Sequence, residues 1–294
     1  MSHRDAPFSG QPPVWSKAVP LSVAAPITAK AQLNDRYTFD RFIVGDENRL
    51  AHAAAQAVAG KPGSLYNPLS IRGGTGLGKT HLLHAIGHCA SANHYRVLYV
   101  TAERFTKEFV AAIQNVSTHE LRARYRRVDV LLIDDIQFLA GKDRTQEEFF
   151  YTFSDLHSAG SQIVIGGGHS PGVLFPPECA LVSRFERRLI ADIQPPAMET
   201  RLAILRAKAA DQHVDVSPDV LHFLAQRGRG DIRQLEGSLN RSVAFSRLLR
   251  SKITVDLAMQ ALGAVLSPGE RTHPGAKTVI KVSAGSRLEV GEQH

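Results

Sequence analysis

The spacing of apolar residues changes several times along the chain, and each change marks an element. Leu69 to Ile71 is a short apolar strand running into glycines, and Val97 to Val100 is a second. Phe105, Phe109 and Ile113 then repeat at helical spacing. Val130 to Ile133 is an unbroken apolar run followed by aspartates, as expected for a parallel strand buried on both faces. Gln162 to Ile165 and Leu189 to Ile193 are further strands. Asp46 to Ala59, rich in alanine and closed by Gly60, predicts a capped helix. Thr145 to Glu148 reads Thr-Gln-Glu-Glu, a capping box that predicts the start of another. Strands alternating with helices predict an α/β domain in three layers, a parallel sheet covered on both faces.

After Pro195-Pro196 only helical patterns remain, up to Gly263. Ser217-Pro218 pairs an N-cap with a proline at the first helical position, while Asp231 and Thr254 are candidate caps for two more helices. This is a small all-helical domain. Residues 1–32 are punctuated by Pro12, Pro13, Pro20 and Pro26 and read as a flexible leader. Residues 264–294 read as an irregular tail with one β-like stretch, Thr278 to Val282.

Composition adds limits. Of the 294 residues, 43% are hydrophobic, enough for a core. No apolar run approaches the ~20 residues a membrane span needs. Met1 to Trp15 lacks the apolar stretch of a signal peptide, so a cytoplasmic location is expected. Cys89 and Cys179 stand in unrelated contexts and suggest no disulfide framework. The net charge of +7 is compatible with a polyanionic partner. Arg122, Arg124, Arg126 and Arg127 concentrate part of it, either as a solvated helix face or as a nucleic-acid contact.

The chemistry is most explicit at Gly73-Gly74-Thr75-Gly76-Leu77-Gly78-Lys79-Thr80, which matches G-x-x-x-x-G-K-S/T between a strand and a helix. Glycines allow backbone N–H groups to close around a phosphate, and the helix beginning near Lys79 presents its positive end to the anion. Lys79 is placed to meet the β- and γ-phosphates of ATP, and the Thr80 hydroxyl to ligate Mg²⁺. The second half of such a site is an acidic residue ending an apolar strand, which Asp134 and Asp135 supply. Asp134 is assigned to Mg²⁺ through water, and Asp135 to orienting or deprotonating the attacking water. His84 and His88, four apart on one helix face beside Cys89, also have the spacing of a metal-binding pair, but no partner motif accompanies them.

These motifs, with Tyr37-Thr38-Phe39-Asp40, Asn48 through His52, Ile71 through Ala85, Val128 through Phe150, Ser183-Arg184-Phe185, Ile190 through Pro196 and Ile232 through Arg241, resemble the AAA+ domain of the bacterial replication initiator family DnaA. The resemblance runs from about Leu33 to Gly263. It implies a P-loop AAA+ nucleotide-binding domain over 33–194 and a helical lid over 195–263. Arg233 then matches the sensor-II arginine that reaches the nucleotide from the lid. Arg184 matches the arginine finger that acts on ATP held by a neighbouring subunit, implying head-to-tail self-association. Thr101 through Arg127 matches the initiator-type helical insertion, and Val110 and Arg144 fall at positions implicated in contacting single-stranded DNA.

The chain departs from the family pattern in three ways. Gly166-Gly167-Gly168 replace the usual Ser-Ser-Asp or Thr-Ser-Asp of sensor I, so slow ATP hydrolysis is expected. A second interface arginine is replaced by Ala180. Residues 264–294 are too few for the family's helix-turn-helix domain, so sequence-specific duplex binding is not expected, nor is a counterpart of the family's N-terminal partner-binding domain. Three functions remain open on sequence grounds: an initiator-like module, a regulatory AAA+ protein that binds a full-length initiator, and a degraded copy.

Overall fold

The computed structural model describes residues 33–169, 189–228 and 230–263. The leader, the tail and the segment holding Ala180 and Arg184 lie outside the described residues. Among those described, five strands form one parallel sheet: β1 (Leu69–Gly73), β2 (Val97–Thr101), β3 (Val130–Asp134), β4 (Gln162–Gly167) and β5 (Leu189–Ile193). Their order is β2-β3-β4-β1-β5. Every residue of β3 and β4 is buried, whereas the edge strands β2 and β5 are partly exposed. That is why these two of the three inner strands read as apolar runs, β3 most continuously.

Alternate side chains feed two cores, one on each face. Leu69, Ile71, Leu132 and Val164 pack against α1 (Arg49–Gly60) and α2 (Lys79–Ala92) through Ala51, Leu82 and Ile86. Leu131, Ile133, Ile163 and Ile165 pack against α3 (Ala102–Gln114), α4 (Thr118–Arg126) and α5 (Asp143–Ser158). There the Phe105 ring meets Tyr125 and Phe149 edge-on at 5.3 and 5.5 Å. Burial of each such ring contributes roughly 1.5–3 kcal/mol.

A third core, around Leu205, Leu224, Leu235 and Leu239, joins the helices α6 (Met198–Asp211), α7 (Pro218–Arg227), α8 (Ile232–Leu249) and α9 (Val255–Gly263). Pro218 opens α7 as expected, although the Ser217 side chain makes no capping bond. Asp231 caps α8 by accepting the Arg233 N–H at 2.7 Å, and Thr254 accepts the Leu257 N–H at 3.2 Å. Among the described residues no helix is long and apolar enough to cross a membrane.

Two expectations require correction. α1 begins at Arg49 rather than Asp46, because Asn48 is used to tie the preceding turn, accepting from the Gly45 N–H and donating to the Ile43 carbonyl, each at 3.0 Å. The Thr145–Glu148 capping box does not open α5, which starts at Asp143 with Lys142 at its N-cap. Thr145 and Glu148 are buried inside the helix, and Glu148 is engaged by Arg122. Ile113 keeps helical spacing but is exposed. The arginine cluster is largely internal bracing: Arg122 pairs with Glu148, Arg124 with Glu108 and Arg126 with Asp155, fastening α4 to α5 and α3.

Candidate nucleotide-binding site

The P-loop spans the C-terminal end of β1 and the start of α2. Gly76 and Gly78 have φ of +73° and +103°, a left-handed conformation that disfavours any residue with a Cβ. A Cβ at Gly76 would also run into the Asp231 carboxylate. That close approach seats the lid on the loop: the Ile232 N–H donates to the Gly76 carbonyl at 3.2 Å. Arg233 follows in the first turn of α8, exposed, with its charge near enough to act on Lys79. Gly73, Gly74, Thr75 and Leu77 line a cleft of about 430 Å³ that also takes in Gly168 and Asp192.

Lys79 is buried, and its Nζ donates to the carbonyls of Gly73 and Gly74 at 2.8 and 2.7 Å. Burial pushes its pKa down, while the charges of Asp134 and Asp135 oppose the shift. The Thr80 hydroxyl donates to Asp134 Oδ2 at 2.6 Å. Asp134 is 1% exposed, and burial raises its pKa against the hydrogen bonds that favour its carboxylate. Asp135 has φ of +55° at the turn leaving β3, and its Oδ1 accepts from Gln137 Nε2 at 2.9 Å. Gln137 Oε1 in turn accepts the Gly168 N–H at 3.4 Å.

The structure therefore brings Gly73 through Thr80, Asp134, Asp135 and the turn carrying Arg233 to one place. Val110 and Arg144 lie elsewhere, both exposed, on α3 and in the first turn of α5. Arg184 lies outside the described residues. His84 and His88 are not arranged as metal ligands. The Asn34 N–H donates to His84 Nδ1 and the Asn34 carbonyl accepts from His88 Nε2, each at 2.9 Å. No cluster of three or more metal-ligating side chains occurs among the described residues.

The residues just before α1 entered the resemblance without a role of their own. They lie along α2: the Thr38 carbonyl accepts from His81 Nε2 at 2.8 Å, Tyr37 stacks on His81 at 5.0 Å, and Phe42 reaches Gly78. His81, His84 and His88, spaced three and four apart, could have pointed to a polar docking face on that helix. Tyr99 and Gln137, which hold the two aspartates, carried no signal of their own.

A family model described as the bacterial DnaA ATPase domain matches residues 33–192. The chain belongs to the bacterial DnaA family. The chromosomal replication initiator protein DnaA of Chloroflexus aggregans is 50% identical over 287 residues, covering 94% of this chain and 60% of that protein. The Herpetosiphon aurantiacus DnaA is 49% identical over 272 residues, 91% of this chain and 58% of that protein. The chain thus spans less than two thirds of these DnaA relatives, while the alignment to the C. aggregans protein covers more of this chain than Leu33 to Gly263. Domain III of Thermotoga maritima DnaA superposes with a TM-score of 0.76 at 40% identity, over 80% of this chain and 99% of that one. A DnaA bound to AMPPCP and single-stranded DNA superposes with a TM-score of 0.70 at 35% identity, over 79% and 70%. The fold is accordingly that of the DnaA AAA+ domain, a P-loop α/β sheet followed by a helical lid.

Proposed function

We propose that this chain is the ATP-binding module of a DnaA-type replication initiator, acting in the cytoplasm, with residues 33–194 holding the nucleotide and 195–263 closing over it. The observation that carries this reading is the convergence of the P-loop, the Thr80–Asp134 pair and the Asp231–Arg233 turn on one cradle. Left-handed glycines and the N-terminus of α2 suit a phosphate, and Lys79 supplies a point charge for its β- and γ-oxygens. Thr80 and Asp134, hydrogen-bonded to each other at 2.6 Å, would hold Mg²⁺, since a hydroxyl and a carboxylate are the hard oxygen donors it takes. When bound, Mg²⁺ neutralises charge on the terminal phosphates. Asp135, held by Gln137, orients or deprotonates the attacking water. Arg233 from the lid and Arg184 from a neighbouring subunit face the charge on the γ-phosphate. With glycine at 166, 167 and 168, no side chain there holds water or phosphate, so turnover is slow.

Single-stranded DNA is the second ligand in this reading. Val110, Ile113 and Val116 are exposed apolar residues on and just after α3, and Arg144 is an exposed cation at the start of α5. Such surfaces serve unstacked bases and phosphates respectively. The glycine run also favours a second reading, in which the module holds ATP and modulates a full-length initiator without turning the nucleotide over.

The deciding experiment measures oligonucleotide binding and particle size with ATP·Mg²⁺ and with ADP·Mg²⁺, for the wild type, Arg184→Ala, and Val110→Ala with Arg144→Ala. ATP-specific assembly that Arg184→Ala abolishes, with DNA binding weakened about tenfold in the double variant, supports the initiator module. ATP binding without assembly, together with capture of a full-length initiator, favours the regulator. Failure to bind ATP overturns both.

A further inference from the structure

Asp134 has a partner that the P-loop does not supply. Tyr99 lies on β2, in a strand otherwise built from Val97, Leu98, Val100 and Thr101. Its hydroxyl donates to Asp134 Oδ2 at 3.2 Å, the same oxygen that accepts the Thr80 hydroxyl. Asp134 Oδ1 accepts the Asp135 N–H at 2.9 Å. The carboxylate is therefore gripped from three places: α2 through Thr80, the turn leaving β3 through the Asp135 N–H, and β2 through Tyr99. The Tyr99 ring is held in turn, lying against His84 with centroids 4.2 Å apart, while His84 Nδ1 accepts the Asn34 N–H. Among the described residues, Asp134 is the hydrogen-bond partner of the Tyr99 hydroxyl.

We propose that Tyr99 is a positioning residue for the metal-holding carboxylate: its hydroxyl fixes the orientation of Asp134, so that the carboxylate meets Mg²⁺·ATP without first being ordered. The argument rests on the nucleotide reading above. A carboxylate accepting several donors is confined to one rotamer, and a preorganised ligand group binds its ion without the entropic cost of ordering. Thr80 is itself a donor of oxygen to the metal. Tyr99 is not, so its hydrogen bond persists as an orienting contact whether or not the metal is bound.

The test is Tyr99→Phe, which keeps the ring against His84 and removes only the hydroxyl. Binding of a fluorescent ATP analogue is titrated with Mg²⁺, and repeated in EDTA. The expected result is a Mg²⁺ midpoint raised about fivefold, the loss of one charge-assisted hydrogen bond in part, with affinity in EDTA unchanged. Thermal unfolding with ATP, with and without Mg²⁺, reads the same quantity as a smaller metal-dependent gain in Tm, whatever the variant's basal stability. A Mg²⁺ midpoint equal to or below that of the wild type overturns the proposal and leaves Tyr99 a packing residue. A wild type that binds no ATP analogue is a different failure, that of the nucleotide reading.

Discussion

The C-terminal ends of β3 and β4 are neighbours in the sheet and face the same cradle, yet they are built in opposite ways. β3 ends in two carboxylates, and both are tied: Asp134 by Thr80, Tyr99 and the Asp135 N–H, Asp135 by Gln137. β4 ends in Gly166 and Gly167, followed by Gly168, with no side chain at all. The bareness of one end is a condition for the other. A Cβ on Gly166 would stand 2.6 Å from Asp134 Oδ1, and one on Gly167 would stand 2.7 Å from Ile136 Cγ2. Gly168 has open space around it. In the proposed reading, the carboxylates that would hold the metal sit at one strand end, and the position from which a side chain could act on a terminal phosphate sits at the other. Affinity and turnover are separable in this arrangement.

The largest effect should come from the P-loop, to which the furnished end of β3 is tied through Thr80. Lys79→Ala removes a buried cation from the P-loop and is expected to weaken ATP binding by about 100-fold, or about 2.7 kcal/mol, measured by calorimetry. Unchanged affinity would mean that the cradle does not hold the phosphates. The bare side should divide by position. Gly166→Ala forces a methyl onto the Asp134 carboxylate and is expected to cost about 1–3 kcal/mol of stability in denaturant unfolding. A Cβ at Gly168 meets nothing within 4 Å, so Gly168→Asn should leave stability within about 0.5 kcal/mol. Its amide restores a group able to bind water or phosphate, so ATP turnover should rise about tenfold at constant affinity. Equal stability losses at the two glycines would break the comparison, and a flat turnover in Gly168→Asn would remove the link between the glycine run and the proposed slow hydrolysis.

The sequence made some of this arrangement legible and hid the rest for identifiable reasons. β3 could be read because inner parallel strands need apolar side chains on both faces, and the P-loop because left-handed backbone leaves few residue choices. The three glycines at 166–168 were visible as a departure from the family pattern, but the packing that excludes a Cβ at two of them and not the third was not. Thr145 to Glu148 misled because a capping pattern is local, whereas Glu148 is claimed by Arg122, 26 residues away. Tyr99 and Asn34 were silent because their partners lie 35 and 50 residues away, and no periodicity encodes such a pairing. The arginine cluster was ambiguous on charge alone, and three ion pairs to α3 and α5 resolve most of it.

The smallest effect concerns the support behind the furnished side. His84 is buried on α2, and its pKa is lowered from 6.5 to about 4, chiefly by burial and further by the neighbouring His88 and His81. The neutral ring accepts the Asn34 N–H through Nδ1, which a protonated ring cannot do. Because the folded pKa lies below the unfolded one, the unfolded chain takes up the proton first as pH falls. The stabilisation is full above the unfolded pKa, declines as pH drops below it, and levels off once the folded pKa is passed. Between about pH 7.5 and about pH 6 the loss should be roughly 1 kcal/mol. His84→Gln retains an acceptor without a titratable ring, so its stability in denaturant should be flatter over that range, with the difference in slope between the two proteins isolating this one group. Identical slopes would mean that His84 is accessible to protons in the folded chain, and that the Asn34 contact does not hold the Leu33–Phe42 segment against α2. In Gly168→Asn, by contrast, no change in this slope is expected, since the glycine end of β4 lies outside the Asn34–His84–Tyr99 contacts. The two strand ends would then differ in pH response as they do in structure.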